Sequence, residues 1–192
     1  MNNLSHYIRI YDNAFSKEFC KFLIEQFETK KEQFNSTRLS EHEWEFDYRC
    51  FEEVNICEEE VFKPYLKQYY ARIKQIYDHY AKDVGLKYFP KDAALEAARM
   101  KKYENNDVDQ FGWHTDVGDL QSASRFLAMF TYLNDVKEGG ETEFESNIED
   151  VFTVTPKCGR IVVFPPMWMF PHRGKKPISN SKYILSTYLH YK

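Results

Sequence analysis

Apolar residues along the chain follow two different periods. In the first half the period is that of a helix. Phe19, Leu23 and Phe27 fall four residues apart within "KEFCKFLIEQFETKKEQF". Ser16, just ahead, is a natural N-cap, since its hydroxyl can accept from a free N–H of the first turn. A longer stripe covers residues 58–84, where Phe62, Tyr65, Leu66, Tyr69, Ile73, Ile76, Tyr77, Tyr80 and Val84 recur at three- and four-residue steps. Such spacing collects side chains on one helix face, and Gly85 suits the left-handed turn that ends helices. The plain meaning of this tyrosine-rich stripe is packing against a sheet. Before the helices, "YIRIYDNAF" alternates as a short strand. Between them, residues 35–57 are polar and irregular, with Trp44, Phe46 and Tyr48 alternating. That segment reads as a short strand, a plain β excursion, or a loop whose aromatics form a lid or peptide-binding surface.

Beyond residue 90 the texture changes to short runs: "ALEAARMKKY", "RFLAMFTYLND", "ETEFES", "DVFTVTP", "GRIVVFPP" and "KYILSTYLHYK". Turn residues such as Gly139, Gly140 and Pro156 separate them. Short strands at close spacing predict an antiparallel sandwich, jelly roll or barrel. The expected fold is therefore mainly β with N-terminal helices. It forms one domain, with residues 1–90 as a helical support and 91–192 as the β core.

Composition narrows the class. Hydrophobic residues make up 43% and aromatics 17%, so the chain can bury a sizeable core. A net charge of -4 argues against a nucleic-acid binder. Cys20, Cys50, Cys57 and Cys158 form no CxxC pair. No basic start leads into an apolar run, and no stretch is long and apolar enough to span a membrane. A cytoplasmic protein with free thiols and no membrane partner is the expectation.

The candidate chemistry lies in "QFGWHTDVGDL". In an extended strand, residues two apart point to the same side, so His114 and Asp116 would project together. An imidazole and a carboxylate side by side supply two metal ligands. A second histidine would complete a 2-His-1-carboxylate set, which leaves positions on Fe(II) open for a co-substrate and oxygen. By spacing alone, an ordinary surface pair reads the same way. His6 and His42 lack ligand-like neighbours, His79 sits on the long helix, and His190 lies near the end of a strand. His172 follows the apolar "VVFPPMWMFP", which would carry it inside, as a third ligand or as a satisfied structural histidine. Lys182, ten residues on, opens a strand in which Lys182, Ile184, Ser186 and Tyr188 share a face. A lysine pointing inward is costly without an anion. An edge-strand lysine in solvent is the plainer alternative.

With these residues in view, the sequence resembles the Fe(II)/2-oxoglutarate-dependent dioxygenases, and most of all their prolyl 4-hydroxylase-like branch. The resemblance begins near Lys101 and runs in order through "KKYENNDVDQFGWHTD", "SRFLAMFTYLND", "GGETEF", "VTPKCGRIVVFP" and "PHRGKKPISNSKYILSTYLHY". It implies a double-stranded β-helix (jelly roll) core. It implies His114, Asp116 and His172 as iron ligands and Lys182 as the partner of the distal 2-oxoglutarate carboxylate. Tyr103 and Tyr132 match tyrosines that contact this co-substrate, and O2 and an ascorbate reductant belong to the same chemistry. Trp113, Arg125, Trp168 and Tyr188 are candidates for the substrate pocket, and Phe111 and Phe170 flank the ligands with Trp113 and Trp168 as possible water-excluding walls.

The implied reaction is hydroxylation of an unactivated C–H bond, on a prolyl residue in a peptide or protein. The chain departs from the pattern at Tyr188, where the family often has tryptophan, and at Ala128, where threonine is common. Asp116 favours hydroxylation over halogenation, because related halogenases lack the carboxylate. The second arginine expected in nucleic-acid demethylases of the superfamily has no match. Two rival readings are a same-fold hydroxylase of a free amino acid or other metabolite, and a non-catalytic module that binds metal and 2-oxoglutarate.

Overall fold

The computed structural model describes residues 4–33, 37–41, 48–145 and 151–192. Strand β1 (Arg9–Tyr11) precedes helix α1 (Lys17–Lys30). The Ser16 hydroxyl accepts from the Phe19 N–H at 3.2 Å, as expected of an N-cap. Helix α2 spans Lys63–Val84 and closes on Gly85, whose φ is 63°. It starts five residues later than the apolar stripe suggests, and Pro64 is the reason. A proline lacks the N–H an inner turn needs and fits only the first turn of a helix. Phe62 is therefore buried just outside the helix, at its N-cap position.

The remaining elements are strands. They are β2 (Thr37–Glu41), β3 (Arg49–Asn55), β4 (Ala94–Leu95), β5 (Arg99–Tyr103), β6 (Gln110–His114) and β7 (Arg125–Tyr132). After them come β8 (Thr142–Glu145), β9 (Val151–Val154), β10 (Ile161–Phe164), β11 (His172–Gly174) and β12 (Lys182–His190). Residues 37–41 and 49–55 thus form a hairpin. Trp44 and Phe46, and with them the lid reading of that segment, lie outside the described residues.

All pairings are antiparallel, and the path runs β1-β10-β7-β12-β5-β3-β6-β11-β8-β9, with β2 beside β3 and β4 beside β12. Side chains from both halves of this path line one cavity: Lys182 and Ile184 of β12 and Ala128 of β7 face His114 of β6 and His172 of β11. The sheet is therefore rolled, in the manner of a jelly roll or double-stranded β-helix.

Alternation along the central strands builds two cores. On one face Leu127, Met129, Ile161, Val163, Tyr183 and Leu185 pack with the apolar stripes of α1 and α2. On the other, Ala128, Tyr132, Val162 and Phe164 join Phe144 and Phe170 inside the roll. Each fully buried large apolar side chain is worth about 1.5–3 kcal/mol relative to exposure. On α2 the Tyr80 hydroxyl donates to the Tyr7 carbonyl at 2.8 Å, whereas the buried Tyr69 hydroxyl has no hydrogen-bond partner among the described residues. The helical layer thus braces the outer face and leaves the inner face to the site.

The turn at Gly139 and Gly140 shapes one end of that site. Both have positive φ, 71° and 74°. A Cβ at Gly139 would lie 2.3 Å from the Lys176 carbonyl oxygen, which is backbone and cannot swing away. Gly139→Ala is expected to destabilise the protein by more than about 1 kcal/mol, measured as a fall in the urea midpoint at unchanged slope.

Candidate metal and co-substrate site

Pairing of β6 with β11 sets His114 opposite His172. Each imidazole is oriented by its own strand. Nδ1 of His114 lies 2.8 Å from the Gly112 carbonyl, and Nδ1 of His172 lies 3.0 Å from that of Phe170. A carbonyl can only accept, so the proton belongs on Nδ1 and each Nε2 keeps a lone pair. The Phe111 ring stacks on His114, and Phe144 and Phe164 pack around His172.

Asp116 arrives by a different route from the one the spacing suggests. Strand β6 ends at His114, so His114 and Asp116 do not share one extended strand. A turn carries the carboxylate back. The Asp116 N–H donates to the Pro166 carbonyl at 3.2 Å, and its own carbonyl accepts from Arg125 Nη1 at 3.2 Å. Tyr188 donates its hydroxyl to Asp116 Oδ1 at 2.7 Å. His114 Nε2 is then 3.7 Å from Oδ1, and His172 Nε2 is 3.4 Å from Oδ2. The three ligand-type atoms all lie within 4.8 Å of one another.

The charge states suit a divalent cation. Burial, then the neighbouring His114, lowers the His172 pKa to about 4. Burial pushes the Asp116 carboxyl upward, but His172, His114 and the Tyr188 hydroxyl outweigh it and hold it below the usual carboxylate range. Metal ligands must be deprotonated, and the shifts of His172 and Asp116 both favour that form. The residues therefore fit an Fe(II)-type site with one face left open.

The trio stands at a throat. Lys101, Phe111, His114, Asp116 and Tyr188 line both an inner chamber and an outer cleft. The inner chamber ends at Lys182, which is 2% exposed. Its ammonium meets the Gly140 carbonyl at 3.1 Å, the Lys175 carbonyl at 3.4 Å and the Tyr103 ring at 4.2 Å. Among the described residues it has no carboxylate partner. Burial lowers its pKa to about 7, against a smaller opposing pull from Glu141. A cation held this way at the end of a chamber is set for an anionic guest. Gly174 keeps room beside it, since a Cβ there would lie 3.4 Å from Nζ. The edge-strand alternative for Lys182 does not hold, because β12 lies between β7 and β5.

The other sequence candidates divide by position. Tyr103, opposite Lys182 across β5 and β12, lines the inner chamber. Tyr132 stands one layer back and donates to Thr142 Oγ1 at 2.6 Å, and Thr142 lines the chamber. Trp113 and Arg125 line the outer cleft. Arg125 is engaged there by Glu96 at 2.9 and 2.8 Å. Trp168 is 75% exposed and lines neither space. Phe170 is buried in the inner core. His6 and His190 bond elsewhere, His79 is largely solvated, and His42 lies outside the described residues.

Sequence reasoning missed two features. Lys101 sits in the throat, and its inward direction follows only from its parity with Tyr103 on β5. The other is the link from Glu96 through Arg125 to Asp116, which joins residues far apart in the chain and leaves no local pattern.

Residues 98–190 match the model of the 2OG-Fe(II) oxygenase superfamily. In fold the chain is similar to a prolyl-4-hydroxylase of Pseudomonas putida, with a TM-score of 0.70 and 16% identity over 98% of this chain and 94% of that one. It is also similar to a Trichoplax adhaerens prolyl hydroxylase solved with a peptide fragment of the hypoxia inducible factor oxygen degradation domain. That match has a TM-score of 0.71 and 14% identity, covering 97% of this chain and 84% of the other. A viral collagen prolyl hydroxylase from Paramecium Bursaria Chlorella virus-1 aligns with a TM-score of 0.63 and 18% identity, over 97% and 96% of the two chains. No curated protein matches in sequence. Residues 98–190 thus carry the pattern of the 2OG-Fe(II) oxygenase superfamily, and the fold of the chain is that of the prolyl hydroxylases above. That match implies Fe(II), 2-oxoglutarate and O2.

One prediction concerns pH. The unfolded chain takes up the His172 proton near its ordinary value of 6.5, and the folded chain only near 4. Between these values the unfolded state binds more protons, so metal-free stability falls as pH drops from 6.5 toward 4. The slope should be shallower in His172→Gln, measured by urea unfolding across that range.

Proposed function

We propose that the chain is an Fe(II)- and 2-oxoglutarate-dependent dioxygenase that hydroxylates an unactivated C–H bond of a prolyl residue in a peptide or protein. The observation that carries the reading is the pairing of His114, Asp116 and His172 at the throat with a buried Lys182 behind it that has no carboxylate partner among the described residues. A binding module that needs only metal has no use for that lysine. The prolyl assignment draws on the fold neighbours, one of which was solved with a peptide. The outer cleft, about 520 Å³, can take a substrate segment rather than an atom-sized guest.

In this reading His114 Nε2, His172 Nε2 and one Asp116 oxygen hold the iron. Lys182 receives the distal carboxylate of 2-oxoglutarate at the end of the inner chamber, with Tyr103 beside it and Tyr132 supporting through Thr142. When bound, iron and co-substrate supply the oxidising power, and ascorbate serves as reductant. The chain supplies orientation and shelter. Tyr188 holds one carboxylate oxygen of Asp116, so that the other is presented to the metal. Phe111 shields His114 from water on one side. Residues 1–192 act as one domain in which the helices brace the roll. The free cysteines suit a reducing cytoplasm, and among the described residues no helix is long and apolar enough to cross a membrane.

Anaerobic titration of the Fe(II)-loaded protein with 2-oxoglutarate should produce a weak visible charge-transfer band. The band and all turnover should be lost in His172→Ala and Asp116→Ala. If a folded, iron-loaded sample shows no band, the co-substrate role fails. Lys182→Ala should retain iron but weaken 2-oxoglutarate binding by about 30-fold or more, as expected when one member of a buried charge pair is removed. Unchanged affinity by calorimetry would remove Lys182 from this role.

A further inference from the structure

We propose that the substrate carries a carboxylate, which seats against Lys101 with help from Arg99 where the outer cleft meets the metal site. The proposal rests on the hydroxylase reading above and names the class of substrate it takes.

Lys101 is a side chain in an unusual place. It is 12% exposed and lines the cleft and the chamber together with His114 and Asp116. Its ammonium lies 4.9 Å from the Phe51 ring centre and 5.8 Å from that of Phe111. Among the described residues the carboxylate paired with it is that of Glu53, at 3.5 Å, longer than a charge-assisted hydrogen bond. Glu53 is already engaged by Arg99 Nη1 at 3.1 Å. Two cations thus share one anion on this wall.

The rest of the cleft does not neutralise them. Glu96 is bound by Arg125 and His190. Asp119, at the rim, accepts from the N–H and hydroxyl of Ser122. With Fe(II) and 2-oxoglutarate bound, the metal, Asp116, the two co-substrate carboxylates and Lys182 balance in formal charge. The wall of Glu53, Arg99 and Lys101 then keeps one positive charge, facing a confined space. An unbalanced cation in such a place costs free energy that an incoming anion recovers. A carboxylate seated here would bring its neighbouring atoms beside the metal. It can come from an acidic residue next to the target in a peptide, or from the free carboxyl group of an amino acid.

The test is binding to Mn(II)-loaded protein with 2-oxoglutarate, without oxygen, followed by calorimetry and tryptophan fluorescence. Two matched pairs of probes are compared: a proline-centred peptide with glutamate or glutamine beside the proline, and L-proline against L-prolinamide. At least one acid should bind about tenfold more tightly than its amide, as one charge-assisted contact allows. A preference in the peptide pair identifies an acidic peptide, and one in the other pair a free amino acid. Lys101→Met keeps the stem against Phe51 and Phe111 and should bring acid and amide to near-equal affinity. Glu53→Gln should widen the gap. Mn(II) and 2-oxoglutarate uptake is measured in both variants first, and the acid–amide comparison is read only from protein that holds both. Acid and amide binding equally, or neither binding, in protein that takes up metal and 2-oxoglutarate normally overturns the carboxylate proposal and leaves the hydroxylase reading intact. Failure to bind metal and 2-oxoglutarate at all removes both.

Discussion

His114 and His172 face each other as a register pair between β6 and β11, and the site exists only while that pairing holds. The two residues are far apart in sequence and meet because hydrogen bonding between two short strands fixes which positions lie opposite. Side chains alternate between faces, so a slip of one residue by either strand would turn its imidazole to the opposite face from the other. The carbonyls of Gly112 and Phe170 then set the ring orientation, leaving Nε2 of each free for a ligand. Asp116 completes the group from a turn, held through its backbone by Pro166 and Arg125 and through its carboxylate by Tyr188.

Much of this was legible in the chain. The helix stripe named the residues that α2 buries, because an amphipathic face is a local pattern. Lys182, His172 and the strands that carry them could be placed because parity along a strand is also local. The start of α2 was misread because the apolar pattern outweighed Pro64, whose covalent constraint decides where the first turn lies. His114 and Asp116 were expected on one strand, yet the strand stops between them. Turn geometry there depends on Pro166 and Arg125, which the local sequence cannot reveal. The same limit hid Lys101, whose setting is made by Phe51 and Glu53 on a different strand.

The throat arrangement joins two electrostatic problems. Lys182 lies behind the ligands and Lys101 in front, both poorly exposed and both short of anions. Keeping ammonium groups out of water is costly, and a fold that does so twice near one centre keeps that energy available for binding. Tyr103 and Phe111 give the two lysines aromatic surfaces to rest on, which lowers the cost without neutralising the charge.

On β7, β10 and β12 the letters alternate between two jobs. Leu127, Met129, Ile161, Val163, Tyr183 and Leu185 serve the contact with the helices, while Ala128, Lys182, Ile184, Ser186 and Tyr188 look into the chamber. The two sets are interleaved in sequence yet separated in space by the thickness of one sheet. Point changes can therefore alter guest recognition while the scaffold stays as it is, or the reverse. A deletion of a single residue in β12 has no such freedom, since it would exchange the two texts at every following position. Over evolutionary time, novelty in such a strand is open to substitution and closed to changes of length.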